Sequence, residues 1–157
     1  MKLSNDILRK KVIIDDYLPL LVKADQKASN AECIYYRHEN KQGLLELGFD
    51  ATTQQVHKIC LLICKDYRVI DAEYRHSNNR IEGDLLIDTP IDVTTATFFC
   101  EIYKDAISVV LSAESVIQTF VSDNIVWGVG PDGGLVSVTV YGLNSEATMH
   151  AIDELSS

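Results

Sequence analysis

The sequence predicts an α+β fold: a mostly antiparallel β-sheet of about eight strands, a meander of hairpins with a helix near each end of the chain. Three observations predict it. The first is a hairpin over residues 124–141. Asn124-Ile125-Val126-Trp127-Gly128-Val129 runs out, Gly130-Pro131-Asp132-Gly133 turns, and residues 134–141 run back. Proline suits the second turn position because its φ is already fixed, and Gly133 can take the left-handed conformation that follows. On the return strand Val136, Val138 and Val140 share one face, and Ser137 and Thr139 the other. The second observation is another hairpin, residues 95–103 with 106–111 around Lys104-Asp105. In it Phe98, Cys100 and Ile102 align, as do Ile107, Val109 and Leu111. The third is helical spacing of apolar residues near both termini.

Taken in order, residues 4–18 are expected to form the N-terminal helix. Ser4, Asn5 or Asp6 can cap it, and Ile7, Ile14, Leu18 and Leu21 recur near helical spacing. The β-branched run Val12-Ile13-Ile14 opposes that reading, and Pro19 ends or kinks the helix. Residues 24–32 are small and polar, a loop. Residues 33–37 read as a strand, 39–43 as a turn and 44–49 as the returning strand, with Leu45, Leu47 and Phe49 on one face. A polar connection, 50–55, leads to the apolar run 56–64. That run fits a strand or a helix; the strand is favoured because the neighbouring hairpins leave an edge to pair. As a strand it puts His57, Ile59, Leu61 and Ile63 on one face and Val56, Lys58, Cys60, Leu62 and Cys64 on the other. Residues 66–74 continue as strand, 75–80 form a polar loop, 84–88 a short strand ahead of Pro90, and 116–121 a further strand or its approach. Leu143-Asn144-Ser145-Glu146 opens the terminal helix, capped by Asn144 or Ser145, with Met149, Ile152 and Leu155 on one stripe. No internal repeat or linker divides the chain, which reads as a single domain over residues 1–157.

Composition narrows the class. Apolar residues make up 46%, too many for a disordered chain. No apolar run approaches the roughly 18 residues of a membrane helix, and the N-terminus lacks the features of a signal peptide. The expectation is a cytoplasmic protein with no membrane partner, whose four cysteines, Cys33, Cys60, Cys64 and Cys100, are free thiols. Charge is unevenly distributed. Residues 1–80 hold 13 bases and 11 acids, whereas residues 81–157 hold one base, Lys104, and 12 acids, for a net charge of −9. Such a half repels nucleic-acid phosphates and favours a basic partner. The plain alternative is a solvated acidic surface that aids solubility.

Motifs of known chemistry are few. Gly128, Gly130 and Gly133 spell G-x-G-x-x-G, but that fingerprint cradles a pyrophosphate only between a strand and a helix N-terminus. Here a Pro-Asp-Gly turn leads into a strand. There is no nucleophile elbow, metalloprotease motif, phosphate loop or EF-hand loop. His57, Cys60 and Cys64 would line one side of a helix as a weak zinc signal, which the strand reading removes. Cys64 and Cys100 lie in apolar runs where cysteine acts as a small hydrophobe. Trp127 reads as a core residue before it reads as an interface anchor. No cofactor and no metal are expected.

Two stretches together carry a resemblance. Leu44-Leu45-Glu46-Leu47-Gly48-Phe49-Asp50-Ala51-Thr52-Thr53, followed by Val56-His57-Lys58-Ile59-Cys60-Leu61-Leu62, reads as strand, D-x-x-T turn, strand. The second stretch is Ile125-Val126-Trp127-Gly128 with Pro131-Asp132-Gly133-Gly134-Leu135-Val136-Ser137-Val138-Thr139-Val140 and the short helix after it. Together they resemble the small cytoplasmic immunity proteins of bacterial contact-dependent growth inhibition and related polymorphic toxin systems. The resemblance implies a non-enzymatic protein that neutralises a cognate toxin domain, a basic nuclease, by steric and electrostatic occlusion. The motifs are turns and assign no binding residue by position. Candidate contacts come from charge and expected exposure: Asp105, Glu114, Asp123 and Asp132, with Glu82, Asp84 and Glu101. Two other classes stand beside this one: a small-molecule-binding or enzymatic α+β domain with a pocket between sheet and helix, and a scaffold that oligomerises through an open strand edge.

Overall fold

A computed structural model describes residues 2–88 and 90–157 of the chain. Fifteen strands are assigned among them: β1 (Lys2–Ser4), β2 (Lys10–Val12), β3 (Leu20–Ala24), β4 (Ala31–His38), β5 (Gly43–Asp50), β6 (Val56–Cys64), β7 (Tyr67–Val69), β8 (Arg80–Glu82), β9 (Asp84–Leu86), β10 (Val93–Thr95), β11 (Phe99–Ile102), β12 (Ala106–Val110), β13 (Gln118–Ser122), β14 (Ile125–Val129) and β15 (Leu135–Tyr141). One helix, α1 (Ser145–Ser156), ends the chain. The strands form a six-stranded sheet in the order β10-β4-β5-β6-β3-β2, a seven-stranded sheet in the order β7-β11-β12-β15-β14-β13-β8, and a two-stranded ribbon, β1-β9. Pairing is antiparallel throughout the interiors of both large sheets; the parallel partners are the short strands β10, β7 and β8 at their edges. The mostly antiparallel architecture is thus as the sequence predicts, but its strands form two layers and a ribbon, not one sheet.

The two large sheets share one core. Leu45, Leu47, Ile59 and Leu61 from one layer meet Ile102, Ile107, Ile125 and Trp127 from the other, each 1% exposed or less. The tryptophan is a core residue whose Nε1–H donates to Ser122 Oγ at 3.2 Å, and Ser122 in turn donates to the Gly83 carbonyl at 2.5 Å. Both predicted hairpins form. Gly133 takes φ +81° at the turn, where Gly133 N donates to Gly130 O at 3.0 Å.

Two expectations fail for one reason: strict alternation is broken by bulges. On β6, Leu44 pairs with Ile63 but Leu45 with Leu61, and Gly48 pairs with Lys58 but Phe49 with Val56. Leu62 and His57 are therefore the extra residues, and the inward set becomes Val56, Ile59, Leu61 and Cys64. On β15, Gly128 pairs with Ser137 and Val129 with Leu135, so Val136 is the extra residue and leaves the face of Val138 and Val140.

The predicted N-terminal helix at 4–18 is absent; a hairpin takes its place. Val12 pairs with Val22, and the chain turns at residues 15–18, where Tyr17 N donates to Asp15 Oδ1 at 2.9 Å. The β-branched run decides the matter once β3 offers an edge. The C-terminal helix forms, and the Asn144 side chain accepts from Ala147 N at 2.9 Å as its cap. Its buried face differs from the predicted stripe. Ala147, Thr148 and Ala151 face inward with Ile152 and Leu155 behind them, while Met149 is 63% exposed. Small residues let the helix lie close against the sandwich, and it bridges both layers. His150 Nε2 is 3.0 Å from Leu18 O beside the six-stranded sheet, and Ser156 Oγ is 2.7 Å from Tyr67 Oη on the seven-stranded one.

Candidate functional site

The connection from β7 to β8 builds the site. These strands lie on opposite edges of the seven-stranded sheet, so residues 70–79 must cross it. The crossing segment is tied down along its length. Lys104 N donates to Ala72 O at 3.0 Å, Tyr74 N to Asp105 Oδ1 at 2.8 Å, and Thr119 Oγ1 to Asn79 O at 2.8 Å. The Tyr74 ring meets Tyr103 and His76 edge to face at 5.5 and 5.0 Å, and His76 meets Tyr141 at 4.5 Å. Residues 66–74, expected to be strand, pair only over Tyr67–Val69 because the rest forms this strap.

Between the strap and the 112–116 loop the outer face of the sheet is concave, a cleft of about 530 Å³. Its floor is a row of hydroxyls. Thr139 Oγ1 donates to Ser108 Oγ at 2.8 Å, with Ser137 and Thr119 beside them. The sequence supplies this row through alternation: polar residues between the core-facing valines of β15 and isoleucine and valine of β12. Gly128 holds the cleft open. A Cβ there would sit 2.4 Å from Ser137 Oγ and 3.0 Å from Val116 Cγ2, so only glycine lets the 112–116 loop approach the floor. Its role is close approach and has nothing to do with phosphate.

The ring cluster sets the local titration. Burial pushes the Tyr74 phenol up, offset in part by its hydrogen bond to Thr139 and by Arg80. Desolvation lowers the His76 imidazole, Arg80 lowers it further, and Asp105 opposes both. His76 is therefore a neutral ring at physiological pH.

The seven predicted contact acids do not gather. Glu101 and Glu114 line the cleft, on β11 and in the 112–116 loop, and neither carboxylate forms a hydrogen bond or ion pair among the described residues. Asp105 and Asp123 lie at one end of the sheet and each gives an oxygen to the fold, Asp105 to Tyr74 N and Asp123 to Lys10 N at 2.7 Å. Asp132 lies in the turn at the other end and accepts from Gly134 N at 3.0 Å. Glu82 is exposed on the edge strand β8. Asp84 was expected at the surface and is not there. It is 2% exposed, with Oδ1 3.0 Å from Lys10 Nζ and Oδ2 accepting from Leu8 N at 2.8 Å and Gln55 Nε2 at 3.1 Å. A carboxylate with that many donors belongs to the interior.

The acidic half of the sequence is not an acidic half of the surface. The strap and β7 carry bases from the first half onto this sheet: Arg68 over the Phe99 ring at 4.9 Å, Arg75 in the cleft wall, and Arg80 on β8. Sequence reading missed the strap and its ring cluster because both depend on which edges β7 and β8 occupy. The hydroxyl row was visible in Ser137 and Thr139.

Elsewhere the reactive groups are occupied. On the outer face of the six-stranded sheet Lys58 Nζ is 2.5 Å from Glu46 Oε1, which also accepts from Cys33 Sγ at 3.4 Å. Cys64 Sγ donates to Asp66 O at 3.1 Å, while His57 Nδ1 is 2.9 Å from Gln26 O. His57, Cys60 and Cys64 thus do not converge, and among the described residues no group of three or more His, Cys, Asp or Glu is placed to hold a metal. No helix is long and apolar enough to cross a membrane. No protein-family model matches the chain, and no curated protein matches it.

Proposed function

We propose that the protein is a non-enzymatic binding module, an immunity protein that neutralises a cognate toxin domain by covering it with the strapped face of the seven-stranded sheet. The observation that carries this reading is the state of Glu101 and Glu114. Both line one concave cleft, and neither forms a hydrogen bond or ion pair among the described residues. Three hydroxyls of the floor, Thr139, Ser108 and Thr119, are already fixed by hydrogen bonds, so the cleft offers a largely preformed shape with two free acceptors. The partner that fits is basic where it meets those carboxylates, as the active groove of a nuclease is. In this reading the protein works in the cytoplasm, catalyses nothing and touches no nucleic acid itself.

The scaffold reading has less support. The four outermost strands of the large sheets, β2, β7, β8 and β10, have three residues each, too short to template a stable strand addition. The gene immediately upstream provides the test. The proposal expects it to end in a domain that arrests growth when expressed alone, and expects co-expression of this chain to restore growth. An upstream domain without toxicity, or no rescue by the folded protein, refutes it.

A further inference from the structure

We infer that the protein has a second binding site, a crevice at the mouth of the sandwich that takes a small, neutral, mostly aliphatic molecule and holds it by a hydrogen bond from the Tyr36 hydroxyl. The crevice opens elsewhere than the strapped cleft, although Ser112 and Val136 border both. It opens between β4 with its edge partner β10 on one layer and the β14–β15 turn on the other, and encloses about 660 Å³. That is the size of a small-ligand pocket, at the mouth of a β layer pair where such pockets form. Its walls reach the core: Ile34 from one layer, Leu111 and Leu135 from the other, with Ile87 and Val93 at the side.

Tyr36 is the polar group in this apolar wall. It is 6% exposed, and its hydroxyl has no hydrogen-bond partner among the described residues. The one sealed side-chain atom lacking a partner among those residues is Asn124 Oδ1. The Tyr36 oxygen therefore touches accessible space, and the space lined by Tyr36 is the crevice. Burial pushes its phenol up to about 12, so it remains a protonated donor at any physiological pH. A donor that faces this space and has no partner among the described residues can be met by water or by the acceptor of a ligand.

The ligand class follows. The walls take an aliphatic chain. The phenol takes an acceptor such as a ketone, ester or ether oxygen. Asp88 and Asp132 also line the crevice, and their charge excludes a carboxylate. A core tyrosine with no ligand is the competing explanation, and the acceptor requirement separates the two.

The test titrates the ¹⁵N-labelled full chain with 2-nonanone and, separately, with nonanoate. Saturable shifts are expected at Ile34, Leu111 and Leu135 with the ketone, and much weaker ones with the anion. Tyr36→Phe should keep its unfolding midpoint, since it removes a group with no partner among the described residues, and should bind the ketone roughly tenfold less tightly. Ala113→Trp, at the exposed rim of the crevice, should block the ketone while leaving Tyr36 in place. Ketone shifts that fail to saturate or map elsewhere, equal ketone affinity in wild type and Tyr36→Phe, or nonanoate binding as tightly as the ketone would each overturn the inference.

Discussion

Two polar regions of this molecule use the same chemistry to opposite ends. At Lys10 and Asp84, between the layers, an ammonium and a carboxylate 3.0 Å apart are closed in by Leu8, Gln55 and the backbone. Lys10 Nζ also donates to Leu8 O at 3.0 Å, Gln55 Nε2 reaches Asp6 O at 2.7 Å, and Lys10 N donates to Asp123. Both oxygens of Asp84 and two of the three ammonium protons of Lys10 are used by the chain, and the effect is to pin residues 6–10 against Gln55 and β9. In the strapped cleft Thr139, Ser108 and Thr119 are likewise bonded within the chain, but the carboxylates of Glu101 and Glu114 have no hydrogen bond or ion pair among the described residues. The difference separates folding from recognition. An acid surrounded by donors stabilises the chain that holds it, and an acid with none is available to something else.

The comparison breaks most visibly at the latch. Asp84→Ala leaves a buried ammonium without its counter-ion and should cost roughly 3–5 kcal/mol, read as a lowered urea midpoint. A loss below about 1 kcal/mol would mean that water reaches Lys10 and that the latch is not sealed. Gly128→Ala comes next. Its Cβ clashes with Ser137 and Val116, so about 1–3 kcal/mol should be lost, together with the position of the 112–116 loop. Near-unchanged stability with altered amide shifts confined to residues 112–116 would place the effect on the cleft wall alone.

Asp50 sharpens the comparison through pH. Its carboxylate accepts from Ser29 N at 2.8 Å, Ser29 Oγ at 3.1 Å, and Thr52 N and Thr53 N at 2.8 and 3.4 Å. Chiefly the bonds from Ser29 and Thr52 hold it down at about 2. A depressed carboxylate stabilises the fold fully above its unfolded pKa of about 4, and that contribution is lost as pH falls through about 2. Asp50→Asn should therefore differ most from wild type at pH 6 and converge with it near pH 2 in urea titrations. His76 follows the same sign, since its pKa is lowered. Its contribution is present above about 6.5 and is lost as pH falls below that, a slope that His76→Gln should remove. The smallest effect on stability belongs to the cleft acids: Glu101→Gln with Glu114→Gln should shift unfolding by no more than about 0.5 kcal/mol.

What the sequence made legible was local. The Pro-Asp-Gly turn, the alternation on β11 and β12, the Asn144 cap and the D-x-x-T turn at Asp50 are decided by neighbours a few residues apart, and all four form. What it hid was non-local. Residues 4–18 carry helical spacing, yet pairing with β3 overrides it. The bulges at His57, Leu62 and Val136 move side chains to the other face for reasons that lie on partner strands. Asp84 reads as a surface acid until Lys10 arrives from far away in the chain. The cleft itself exists because β7 and β8 occupy opposite edges, a fact of topology with no signature in residues 70–79. Charge misled in the same way, because the strap returns arginines to the sheet built from the acidic half.

The division between latch and cleft is tested most directly by one titration: the toxin domain that the proposal expects upstream, against wild-type protein and against the Glu101→Gln/Glu114→Gln double variant, by calorimetry. Recognition at the cleft predicts an unchanged unfolding midpoint and a dissociation constant raised roughly tenfold or more. A folded double variant that binds as tightly as wild type would contradict it.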